Sequence, residues 1–137
     1  MNSKLYKEVH SLATQLLAAA EKEDGDAFAQ GYEQLKALCF DNEEEEKNHP
    51  VQWETLGDFS EDSDEAMLYY KKALGFADEI QAKDYMTSIS YAMALLQQEV
   101  GDNEQALALA HQAAEYAEKI SDAELQQEVA DLIKALI

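Results

Sequence analysis

The sequence contains no arginine, and its ten basic residues, all lysine, face 29 carboxylates. A formal net charge of −19 excludes nucleic-acid phosphate as the default ligand, because that binding is carried by clustered cations, and it disfavours an anionic membrane surface as well. Cysteine occurs once, at Cys39, so no internal disulfide can form and the fold needs no oxidising compartment. One proline and five glycines leave few breakers. Val, Ile and Thr together number 12 against 38 Ala and Leu, which starves a sheet of β-branched residues and favours helix. No apolar run approaches the roughly 18 residues of a membrane span. Near the N-terminus the only short apolar stretch, Leu16 to Ala20, follows several charges and lacks the core of a signal peptide. A reducing cytoplasm is the expected location, with neither nucleic acid nor membrane as partner.

What the sequence has in abundance is helical periodicity. Its 137 residues suit one domain with its own core. Leu5, Val9, Leu12, Leu16 and Ala20 recur on one face of a first helix that stops at Asp24-Gly25-Asp26, where Gly25 is expected to take the left-handed position and Asp26 to cap a second helix over 27–40. Residues 41–50 (DNEEEEKNHP) form an acidic connection closed by the only proline, which can start a third helix over 51–59. Asp62 and Glu65 have capping-box spacing for a fourth helix over 63–77. The fifth helix covers 84–100 and ends at Gly101; Asp102 and Gln105 cap the sixth, and Ser121 with Glu124 opens a seventh, whose Leu125, Val129, Leu132 and Leu136 make a single stripe. The expected fold is all-α, in one domain: hairpins over 3–40, 51–80 and 84–120, then a capping helix over 122–137.

The second helices share a pattern. Ala66, Tyr70 and Ala73 recur forty residues later as Ala106, Ala110 and Ala113, and Ala37 extends the series backwards. Small residues there let a paired helix approach closely. With Trp53, Leu56 and Gly57 ahead of Ala66, Tyr70 and Ala73, and with Gly101 at the turn of the third hairpin, the chain resembles the tetratricopeptide repeat family, in a long form of about forty residues per repeat. The first hairpin matches loosely, with Gln30 where the first Ala belongs, and the second is about three residues short between Leu56 and Ala66. The resemblance implies an α–α superhelix of antiparallel hairpins, the last helix capping the stack with Asp122, Glu124, Gln126, Glu128, Asp131 and Lys134 turned to water.

Catalytic or metal chemistry finds little footing. His10, His49 and His111 have no second histidine at a ligand spacing, and His111 with Glu115, one turn apart, supplies only two ligands. His49 near Glu43 to Glu46 reads as a solvated loop. The run from Asp58 to Asp64 imitates the start of a calcium loop, but Ser63 stands where glycine is needed and Tyr69 where a closing Glu belongs. Cys39, between Leu38 and Phe40, reads as core. No nucleophile elbow, phosphate-cradling loop or dinucleotide fingerprint occurs. We therefore expect no enzyme, cofactor or metal.

The resemblance implies a concave groove lined by first helices, carrying Glu54, Asp58, Ser88, Tyr91, Leu95 and Gln98. Tyr91 and Leu95 would supply apolar area and the carboxylates would steer a cation. Charge concentrates in the middle: −2 over residues 1–40, −10 over 41–80 and −7 over 81–137. The expectation is a non-enzymatic interaction module, an adaptor docking a basic protein or peptide on groove and acidic flank. A different class stays open: an immunity protein that neutralises a basic bacterial toxin, such as a nuclease, by covering its active surface. So does a chaperone for a secreted substrate. A neighbouring reading frame encoding a basic toxin, or nanomolar rather than micromolar affinity, would single out the inhibitor. The acidity serves binding or plain solubility, and no residue pattern speaks to oligomeric state.

Overall fold

A computed structural model describes residues 3–44 and 48–137. Among these the chain is all-α, with seven helices: α1 (Ser3–Glu21), α2 (Gly25–Asp41), α3 (Pro50–Phe59), α4 (Ser63–Glu79), α5 (Lys83–Glu99), α6 (Asn103–Ala117) and α7 (Ala123–Leu136). Part of the acidic connection, residues 45–47, lies outside the described residues, including the carboxylates at 45 and 46.

Aspartates start most of these helices. Asp24, Asp62, Asp102 and Asp122 each place a carboxylate oxygen on the backbone N–H three residues on, at 2.9 to 3.1 Å, satisfying one orphan donor of the first turn. Two of the four differ from expectation. Asp24 rather than Asp26 caps α2, and Asp122 rather than Ser121 caps α7. Gly25 is not left-handed either; Glu23 takes that conformation with φ 54°, while Gly101 does adopt it with φ 90°. Both acids beside Gly25 could have capped, so the choice rested on where the preceding turn reverses. At α3, His49 is extended, its Nδ1 accepts from Val51 N–H, and Gln52 Oε1 accepts from His49 N–H. Pro50 occupies the first helical position, where its missing N–H costs nothing.

The helices pack as consecutive antiparallel pairs, α1 with α2, α3 with α4 and α5 with α6, and α7 closes on α6. The odd-numbered helices also touch in succession, α1 to α3, α3 to α5 and α5 to α7, whereas no two even-numbered helices approach closely along their backbones. The stack therefore curves toward the odd row, with the even row fanned on the outside.

Small residues set the pair spacing. Ala66, Ala73, Ala77, Ala106, Ala110, Ala113 and Ala117 are all buried, with Tyr70 among them. Gly57 lies where a Cβ would stand 2.7 Å from the Tyr70 ring, so α3 and α4 meet at a distance only glycine allows. Trp53, Leu56, Leu35, Met86, Ile89 and Ala94 complete the fully enclosed core. Ala37 does not belong to this series: it is exposed, and α2 buries Gly31, Leu35 and Cys39 instead. Its alanine was a match of residue type on the wrong face. Between α2 and α3, Cys39 Sγ donates to Gln52 O at 3.2 Å and Gln52 Nε2 donates to Cys39 O at 3.3 Å, which satisfies a fully buried amide side chain. On α7, Val129 and Leu132 face inward. Gln126, expected in water, instead donates to Ala117 O at 2.8 Å and Ile120 O at 3.0 Å and ties the α6–α7 turn.

Candidate protein-binding face

Helix α3 turns Trp53, Leu56 and Gly57 into the core, which leaves Glu54 and Asp58, one turn apart, on the side toward the odd row. Ser88 Oγ, from α5, donates to Glu54 Oε2 at 2.7 Å. This bond bridges the α3–α5 seam. Withdrawal from water pushes the Glu54 carboxyl up to about 7, with the negative Asp58 adding to the rise and the Ser88 hydroxyl offsetting it. Asp58 is exposed as a residue, but its Oδ1 accepts the Tyr70 hydroxyl at 2.6 Å. Its carboxyl is raised above the usual range by desolvation, partly offset by that hydroxyl. Burial and the adjacent carboxylates in turn push the Tyr70 phenol far up.

Along α5, the buried stripe of Met86, Ile89, Ser90, Met93 and Ala94 leaves Ser88, Tyr91, Leu95 and Gln98 at helical spacing on the opposite side. Leu95 is 39% exposed, and Tyr91, Ser88 and Gln98 are half-buried. Tyr91 is raised by burial and by Glu128 and Asp131 of α7, so the acids of α7 lie close to it. At the other end a cavity of about 320 Å³ is lined by Ser3, Tyr6, Lys7, His49 and Tyr85, and the His49 and Tyr85 rings meet edge-to-face at 5.1 Å. Burial holds the His49 imidazole below its ordinary value, favouring the neutral ring. No family model matches the chain, and no curated protein matches it.

The six residues expected to line a groove lie on α3 and α5 of the odd row, and two of them are joined to each other. Glu54 and Ser88 bond each other and seal a seam, and withdrawal from water favours the neutral form of the Glu54 carboxyl. Asp58 stands one turn away, and neither carboxylate forms an ion pair among the described residues. Tyr91, Leu95 and Gln98 form a separate stretch further along α5. Tyr6 and Tyr85 were missed, because nothing in their local spacing shows that α1, α3 and α5 converge.

Two further clusters lie toward the outer row. Glu65 Oε1 accepts from Tyr69 at 2.8 Å, Tyr32 at 3.0 Å and Lys36 at 3.1 Å, joining α2 to α4. These bonds hold its carboxyl below the usual range. Lys72 Nζ pairs with Glu43 and stands 4.0 Å from the Trp53 ring centroid, with Phe40 edge-on to the same indole at 5.1 Å. This is an internal cation–aromatic contact. Cys39 is buried and its thiol is pushed up to about 12 by desolvation, which disfavours the nucleophilic thiolate. Among the described residues no group of three or more His, Cys, Asp or Glu is placed to hold a metal ion, and no helix is long and apolar enough to cross a membrane.

Proposed function

We propose that the chain is a non-enzymatic protein-interaction module, built like tetratricopeptide repeats, that docks a basic protein or peptide along its odd-helix row. The observation that carries this is the row itself: tyrosine and leucine surface from α1 and α5 interleaved with Glu54, Asp58, Glu128 and Asp131. A stack of hairpins leaves such a row open because each pair buries itself only against its neighbours. Rigid tyrosines give contact area at low entropic cost, and carboxylates select the partner's sign and speed its approach. The neutralising inhibitor of a basic toxin uses the same surface in the same way and differs in affinity. A chaperone for a secreted substrate would present a broader apolar face than Tyr91 and Leu95 provide.

Affinity capture from the native cell with the full chain, run beside Tyr91→Ala/Leu95→Ala and the outer-row control Leu68→Ala, tests the reading. A basic protein lost from the first variant and kept by the second supports it. A partner retained equally by all three would overturn it.

A further inference from the structure

We propose that the cavity framed by α1, α5 and His49 binds a small aromatic carboxylate, whose charge meets Lys7 and whose ring lies against Tyr6 and Tyr85. The site goes beyond the docking reading and does not depend on it.

The cavity holds about 320 Å³ between Ser3, Tyr6 and Lys7 of α1, His49, and Tyr85 of α5, close to the lower limit of small-molecule sites, about 300 Å³. Its lining is unlike the rest of this acidic surface. Other clefts among the described residues carry carboxylates: Glu8 further along α1, Glu23, Asp24 and Glu61 at the α1–α2 turn, and Glu118 between α6 and α7. Among the described residues this one carries none. Nor are its donors spent on the protein: among the described residues the Lys7 ammonium has no ion-pair partner, and the hydroxyls of Ser3, Tyr6 and Tyr85 bond no other group. His49 adds a donor through its tautomer. Its Nδ1 accepts from Val51 N–H at 3.1 Å, so the proton of the neutral ring sits on Nε2. The edge-to-face contact at 5.1 Å sets that ring against Tyr85.

Neutral donors around a single cation call for an acceptor group with one negative charge. A carboxylate fits, because its two oxygens accept several bonds at once and pair with one ammonium. A doubly charged phosphate would leave a charge unmatched in a chain of net charge −19, and an amine finds no acid in the lining. The two phenol rings offer flat apolar area for an aromatic body. At about 0.15 M salt, charges more than about 8 Å away are largely screened, so the lining rather than the net charge governs a bound anion. Two acids stand near. Glu8 lies in the adjoining cleft, and Glu54 acts on Tyr85 from α3 but is bonded to Ser88 and favoured neutral by burial.

Benzoate titrated into the full chain at about 0.15 M salt, followed by backbone amide NMR, tests the site, with benzamide as the uncharged ligand of the same shape. The expected result is saturable shifts at the starts of α1, α3 and α5 with a dissociation constant on the order of 1 mM. Benzamide should bind about fivefold more weakly, and Lys7→Gln should weaken benzoate by about the same factor while leaving benzamide unchanged. Lys7 is exposed, so that variant keeps the fold. Equal binding of benzoate and benzamide, or benzoate affinity indifferent to Lys7→Gln, overturns the carboxylate site. Shifts confined to other parts of the chain, or none that saturate, overturn it as well. Inorganic phosphate that binds the same residues more tightly than benzoate would assign the cavity to a different anion and overturn it too. None of these outcomes bears on docking, which the Tyr91→Ala/Leu95→Ala capture tests separately.

Discussion

The same substitution, glycine to alanine, is expected to act differently at two positions, and the reason is a single ring. At Gly57 an added Cβ would stand 2.7, 2.8 and 3.1 Å from Cε1, Cδ1 and Cζ of Tyr70, against about 3.5–4.0 Å for comfortable carbon contact. The ring cannot swing aside cheaply, because its hydroxyl is bonded to Asp58 at 2.6 Å and the side chain is 6% exposed. Overpacking of this kind costs about 1–3 kcal/mol, and the better helix propensity of alanine returns about 1 kcal/mol. A net change between about zero and a loss of about 2 kcal/mol follows. At Gly75, inside α4, a Cβ meets nothing within 4 Å, so only the propensity gain of about 1 kcal/mol remains. Gly31→Ala falls between the two, since its contact at 3.1 Å is the flexible end of Leu16. Urea unfolding followed by circular dichroism and by fluorescence of the single Trp53 measures all three, provided the two probes coincide. A Gly57→Ala protein as stable as Gly75→Ala would refute the close approach of α3 and α4.

Other consequences follow from single side chains. Asp24→Ala is expected to lose about 1 kcal/mol of stability through its cap while Asp26→Ala changes little; equal losses in denaturant melts would contradict the assigned α2 terminus. Cys39, with its thiol at about 12, should resist thiol reagents at pH 8 in the native protein and react once unfolded in urea; rapid labelling of the native chain would show that the α2–α3 contact opens. Glu54 titrates higher folded than unfolded, so the native state binds the extra proton and its penalty is absent below about 4.5 and complete above about 7. The rise from 4.5 to about 7, at about 1.4 kcal/mol per pH unit, bounds that penalty at about 3.5 kcal/mol. Discounting for water at the half-open carboxyl leaves about 1–2 kcal/mol. Glu54→Gln should therefore gain on the wild type between pH 5 and pH 8, and a pH-independent difference between them would argue against a desolvated Glu54.

The helices themselves were legible because their signals are local. A period of 3.6 in the apolar residues, the lone Pro50, and Asp62 and Asp102 ahead of their helices each act within a few residues of chain. The buried alanines of α4 and α6 were legible too, since Ala66 and Ala73 have the same spacing as Ala106 and Ala113 along their helices. Ala37 marks the limit: residue type matched, but the face was set by how α2 lies on α1 and α3, which brings Leu35 and Cys39 inward. Asp24 and Asp26 were equivalent as cap formers until the backbone reversal at Glu23 chose between them. The polar junctions were out of reach for the same reason. Glu65 collecting Tyr32, Lys36 and Tyr69, Ser88 reaching Glu54, and Tyr70 reaching Asp58 join residues from 4 to 34 positions apart, and no spacing rule connects the longer-range pairs. That Glu54 and Asp58 share one side of α3 was legible from their spacing, but whether they stand as free charges depends on the depth of the α3–α5 seam.

The most direct test of a cation-selecting odd-helix row is the association rate of the captured partner, measured by stopped flow at increasing salt for the wild type and for Glu54→Gln/Asp58→Asn. The account predicts a wild-type rate that falls steeply as salt rises, and a variant that associates more slowly at low salt and approaches the wild type at high salt. Equal rates for the two proteins, indifferent to salt, would contradict it.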